Sequence, residues 1–167
     1  MTQTLAMFWN RKPKVRPQEL AETLFTELIQ KTLCSVPAGV HIEPAAIPAI
    51  EAKQRLYQFA SILLAVLNEA RNNPKFTLVQ EHLERLFFPP SAQQGMNIFG
   101  EVRDAMTDLN ELITPQEQHR PMSWARNWLA SASVDETNPA TLDLFATGWM
   151  DYYIMVTKSL KQFNLVA

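Results

Sequence analysis

The sequence predicts an all-α fold, a single-domain bundle of about five to six helices. Three observations carry this. Apolar residues recur at three- and four-residue spacing through most of the chain. Glycine is scarce, 4 of 167 residues, and the alternating β-branched runs that mark strands are missing. Proline and asparagine stand where such helices would begin. At this length one domain can bury roughly 70% of the surface that its unfolded chain exposes.

Pro17 suits the first position of helix 1, about 17–34, whose inner face is Leu20, Ala21, Leu24, Phe25, Leu28 and Ile29. Residues 35–47 hold Pro37, Gly39 and Pro44 and read as a connector, with a brief extended piece conceivable at "GVHI". Helix 2, about 48–72, carries two apolar stripes. One is Leu56, Ala60, Leu63 and Leu67; the other is Phe59, Ile62 and Val66. A helix apolar on two sides is expected at the centre. Asn73 caps helix 3, which runs from Pro74 to Phe88 and is stopped by Pro89 and Pro90. Helix 4, about 96–113, turns Ile98, Val102, Ala105, Leu109 and Leu112 inward. Thr114, Pro115 and Glu117 form a capping box for one further turn. Helix 5, about 121–133, buries Trp124, Trp128 and Leu129. Asn138 caps helix 6, about 139–164, with the stripe Leu142, Phe145, Trp149, Tyr153, Val156, Leu160 and Phe163; Tyr152 falls off that stripe.

The net charge of -2 gives no general attraction to polyanions. The charge is uneven, however. Residues 1–16 form a basic, aromatic N-terminal arm, and 17–167 the helical body. The arm joins Phe8 and Trp9 to Arg11, Lys12, Lys14 and Arg16, with no acidic residue. Aromatic and basic residues together suit an anionic membrane surface, but at about 1 kcal/mol per charge four cations hold it weakly. They are too few for firm nucleic-acid binding on an acidic body. The arm is expected to keep Phe8 and Trp9 in an apolar groove and its cations in water.

Cys34 stands alone, so no internal disulfide is expected, and a reducing, cytoplasmic location follows. The longest apolar run, residues 56–67, is too short for a membrane span, and no signal peptide is recognised. His41, His82 and His119 are scattered and match no metal motif. Phosphate-cradling glycine loops and nucleophile elbows are missing.

Two acidic pairs stand out. Glu81 and Glu84 lie one turn apart on helix 3, and Glu101 and Asp104 one turn apart on helix 4. A short connection should make these helices antiparallel neighbours. Four carboxylates would suit Mg²⁺, which prefers hard oxygen ligands. The stretch "EHLERLFFPPSAQQGMNIFGEVRDA" resembles the motif of all-α nucleotide pyrophosphohydrolases of the MazG and dimeric dUTPase type. The resemblance implies Glu81, Glu84, Glu101 and Asp104 as Mg²⁺ ligands. The alternative is that Glu101, Asp104, Asp108 and Glu111 are the solvated shoulder of an amphipathic helix.

The aromatic and methionine-rich helices 5 and 6 exceed what one core stripe needs, and Tyr152 is expected on an interaction surface. The leading expectation is a non-enzymatic helical interaction or adaptor domain without a cofactor, recognising a protein partner or a second copy of itself. The alternatives are the Mg²⁺-dependent hydrolase and a peripheral membrane protein attached through the arm.

Overall fold

Pro17 opens helix α1 (Pro17–Leu24) in a computed structural model that describes residues 12–30, 36–88, 98–114 and 120–166. The backbone N–H of Arg16 donates to Glu19 Oε2 at 3.1 Å, closing the first turn. The chain then widens into π turns over Phe25–Gln30, where a plain α-helix was expected. The Leu28 carbonyl accepts from two side chains. Gln58 Nε2 reaches it at 3.2 Å and the Tyr152 hydroxyl at 3.0 Å. The predicted end of this helix, with Cys34, lies outside the described residues.

The connector makes a turn at Gly39, whose φ of +94° suits a residue without a side chain. No strand forms at 39–42, as a connector requires. A 3-10 turn at Pro44–Ala46 leads into α2 (Ile47–Ala70). Burial on α2 is nearly continuous from Tyr57 to Leu63, so this helix is central as predicted. Around it pack the π segment, α3 (Lys75–Phe87), α4 (Ile98–Ile113) and α6 (Pro139–Leu160). Helix α5 (Arg120–Ser131) lies against α6 and touches α4. Asn73 accepts from the Lys75 N–H at 3.2 Å and Asn138 from the Ala140 N–H at 3.0 Å, so both expected caps are in place. Pro89, Pro90, Pro115 and Glu117 lie outside the described residues.

Helices α3 and α4 are not the antiparallel pair that their short connection suggested. The main partners of α3 are α1 and α2, whereas α4 lies on α2, α5 and α6. They meet near their joined ends, where the Phe88 and Phe99 rings are 4.4 Å apart. The central helix offers two sides, and each takes one.

Helix α6 stops at Leu160, earlier than its apolar stripe suggested. The next backbone N–H groups close a tight turn, and then a second strand competes for them. Strand β1 (Lys14–Val15) pairs in parallel with β2 (Asn164–Leu165). The Asn164 N–H reaches the Pro13 carbonyl at 3.0 Å and the Val166 N–H the Val15 carbonyl at 3.1 Å. Lys12, Lys14 and Arg16 are exposed; Phe8, Trp9 and Arg11 lie outside the described residues. Among the described residues no helix is long and apolar enough to cross a membrane.

Tyr152 departs from expectation. It is 5% exposed, and its ring meets Trp149 edge-on at 5.9 Å while its hydroxyl donates to Leu28. It is a core residue, not an interaction surface. Its neighbour Tyr153 is half-buried, with Asn68 Nδ2 donating to its hydroxyl at 2.9 Å. The Leu28 carbonyl that Tyr152 satisfies lies 124 residues away, beyond the reach of helical periodicity.

Phe59 is fully buried on α2 and stacks on Phe87 at 3.9 Å between ring centres. Phe59→Ala is expected to cost about 3–5 kcal/mol in urea unfolding, with unchanged helical signal below the transition. A loss under 1 kcal/mol would show that α3 is not held through this contact.

Candidate functional site: a lysine-tyrosine-aspartate cleft

Three helices place polar side chains at helical spacing around a common hollow. On α2, Lys53 and Tyr57 are one turn apart. On α4, Asp108 and Glu111 follow Glu101 and Asp104. On α5, Arg120, Ser123, Asn127 and Ser131 share the face that also holds Trp124 and Trp128. They line a cleft of about 360 Å³. A second hollow of about 630 Å³ opens on the other side of Lys53, Tyr57 and Asp108. It is floored by Ala52, Leu56, Phe87 and Ala105 and edged by Glu101 and Asp104. The lysine, tyrosine and aspartate therefore stand where the two hollows meet.

The Tyr57 hydroxyl donates to Asp108 Oδ2 at 2.6 Å. Burial, this hydrogen bond and the charges of Asp108 and Asp104 push the Tyr57 phenol well above the usual tyrosine range. The phenol therefore stays protonated, and Asp108 is anchored as an acceptor.

Lys53 Nζ donates to the Trp128 carbonyl at 3.4 Å and to Ser131 Oγ; that hydroxyl in turn donates to the Trp128 carbonyl at 2.6 Å. The nitrogen lies 4.9 Å from the Trp128 ring centre and 5.7 Å from that of Tyr57, within cation–π range. Burial holds the Lys53 ammonium below the ordinary lysine range, and the nearby Asp108 charge opposes this.

Aromatic rings back the cleft. Tyr57 meets Trp124, Trp128 and Trp149 at 6.0, 5.7 and 5.7 Å. Phe145 lies behind Trp128 at 5.0 Å. Trp128 is 3% exposed, and its Nε1 has no hydrogen-bond acceptor among the described residues. Sites for small molecules share this make-up: apolar and aromatic walls of this volume with a few placed polar groups.

The predicted carboxylate quartet does not come together. Arg85 lies 4.0 Å from Glu81, and Glu84 accepts from Gln80 Nε2 at 2.8 Å, both on α3. Arg103 lies 3.6 Å from Asp104 on α4. Among the described residues no three His, Cys, Asp or Glu side chains converge as a metal requires. Mg²⁺ therefore does not fit these four positions, because α3 and α4 take different sides of α2. His41 bonds to Glu43 at 2.9 Å on an exposed turn, and His119 lies outside the described residues.

The acidic stripe of α4 borders both hollows, and Asp108 holds the hydrogen bond to Tyr57. Sequence reading passed over Lys53, Tyr57, Arg120, Asn127 and Ser131. The one signal available was on α5, where polar residues recur at 120, 123, 127 and 131 beside two tryptophans.

In an unfolded chain tyrosine loses its proton near pH 10.0, while folded Tyr57 keeps its own to higher pH. Above that value the folded state holds the extra proton, so unfolding free energy falls as pH rises. Lys53 acts oppositely. Its folded pKa lies below 10.5, so stability increases with pH through the window between the two. Tyr57→Phe is expected to flatten the alkaline fall in urea titrations and to cost about 1–2 kcal/mol at neutral pH, since Asp108 loses its donor. An unchanged alkaline limb would remove Tyr57 from this account. Comparison of the chain with protein-family models, curated proteins and solved structures gives no match, so the functional reading rests on the cleft.

Proposed function

We propose that this chain is a helical binding domain that takes a small carboxylate-bearing molecule in the cleft between α2, α4 and α5. The observation that carries the reading is the Lys53, Tyr57 and Asp108 cluster walled by Trp124 and Trp128. Arg120 offers positive charge to a carboxylate, Lys53 an N–H donor beside it, and the tryptophans offer apolar contact to its body. Asp108 and Glu111 oppose a second negative charge, so monocarboxylates fit better than phosphates or dicarboxylates.

Titration with small monocarboxylates is expected to change tryptophan fluorescence saturably. A hydrogen bond to a charged group contributes about 1.5–3 kcal/mol. Lys53→Met should therefore weaken binding by about tenfold to a hundredfold. Equal affinity in Lys53→Met and Arg120→Met would overturn the reading.

A second reading, self-association, is supported by one observation on α6. Leu144 is 61% exposed and Met155 39%, three turns apart on one helix face, with Ile154 at its margin. On this reading a second copy covers that face. Light scattering at micromolar concentration would then report a dimer that the double change Leu144→Glu and Met155→Glu converts to monomer. A wild-type monomer throughout would remove it.

A further inference from the structure

We infer that Lys53 captures a small carbonyl compound bearing a carboxylate, of the 2-oxo acid class, as an imine inside this cleft. The inference rests on the small-ligand reading above and adds a covalent step to it.

The geometry supplies three requirements. First, the amine must be placed in a hollow. Lys53 lines both, and no other described lysine lines either. Second, the neutral amine must be satisfied where it lies. The two acceptors that hold Lys53 Nζ, the Trp128 carbonyl and Ser131 Oγ, are both uncharged. A neutral NH₂ keeps both bonds with its two hydrogens and still has a lone pair for attack. Asp108 makes its hydrogen bond to Tyr57 rather than to Lys53, and its charge, which favours the ammonium, is outweighed by burial. Third, a proton source and an anchor are needed. Tyr57 stands one turn along α2 from Lys53 on the same face, with its phenol protonated and bonded to Asp108. Arg120 lines the same cleft and pairs with the substrate carboxylate. Burial, which lowers the lysine below its ordinary range, raises the fraction of neutral amine near neutral pH.

The step balances without an oxidant or reductant. Nζ adds to the carbonyl carbon, the C=O pair moves to oxygen, and one nitrogen proton passes to that oxygen, relayed by the Tyr57 hydroxyl, which gives one proton and takes one back, to form a carbinolamine. The nitrogen lone pair then forms the C=N bond as the hydroxyl leaves, and the second nitrogen proton joins that hydroxide as water. One C=N bond forms, and one water is released.

The test uses the full chain with pyruvate and cyanoborohydride near neutral pH, read by peptide mass mapping. Lys53, placed in the cleft with both N–H bonds on uncharged acceptors and Arg120 to hold the carboxylate beside it, is expected to be alkylated severalfold faster than exposed Lys158. Arg120→Met should slow labelling by pyruvate but not by acetaldehyde, which lacks the carboxylate. Lys53→Arg should abolish the fast site. Should that variant misfold by circular dichroism, competition by unreactive propionate in the wild-type chain replaces it, and propionate should slow Lys53 alone. Labelling of Lys53 no faster than Lys158, while pyruvate still quenches tryptophan fluorescence, would overturn the imine and leave the binding reading standing. No labelling preference and no fluorescence response to any carboxylate would overturn both.

Discussion

Everything in this fold depends on burying α2. Phe59, Ala60, Ile62, Ala65 and Val66 are fully buried at positions that point around the helix rather than along one stripe. No single partner can cover such a helix, so its neighbours must enclose it. Helices α3, α4 and α6 and the π segment of the first helix do so. This constraint overrides local connection rules. A short link would place α3 and α4 side by side, but two unsatisfied faces of α2 separate them. The same demand separates the four carboxylates that would otherwise have been read together.

Enclosure is incomplete at the N-terminal half of α2, and there the polar chemistry gathers. Lys53 emerges between α4 and α5, and Tyr57 sits one turn further along α2. A phenol buried at this depth needs an acceptor, and Asp108 supplies it from α4. A lysine stem crossing tryptophan faces needs its ammonium satisfied, and the last turn of α5 supplies a carbonyl and a hydroxyl. The site is therefore made where three helices stop short of sealing the core. Its polar groups come from three packed helices, so its geometry is as rigid as the bundle.

The helices were legible because each is written locally. Apolar spacing, Asn73, Asn138 and Pro17 are features of a few consecutive residues, and the observed helix starts follow them closely. What was not legible depends on distant partners. Tyr152 and Tyr153 are adjacent on α6, and periodicity favours burying Tyr153. The Leu28 carbonyl, 124 residues away, decides for Tyr152. The β1 and β2 pairing uses backbone groups that composition does not show. Lys53 meets Ser131 across 78 residues and Tyr57 meets Asp108 across 51. The acidic stripe of α4 was visible as a stripe. Its inward edge was not, because that requires knowing that α5 folds back beside it.

The aromatic richness of α5 and α6 follows from the same arrangement. A plain core against α2 would need one apolar stripe per helix. Here Trp124, Trp128, Phe145 and Trp149 form a continuous ring network that reaches from the core to the cleft wall. Large rigid rings fill the volume beside a polar hollow without many rotamers to freeze, and their faces tolerate a nearby cation. Flexible aliphatic side chains there would let the hollow collapse onto Lys53, with no ring face to hold its charge. The excess of tryptophan thus fits a core that must remain firm beside an opening. It ties the composition of two helices to the cleft that the third helix leaves unsealed.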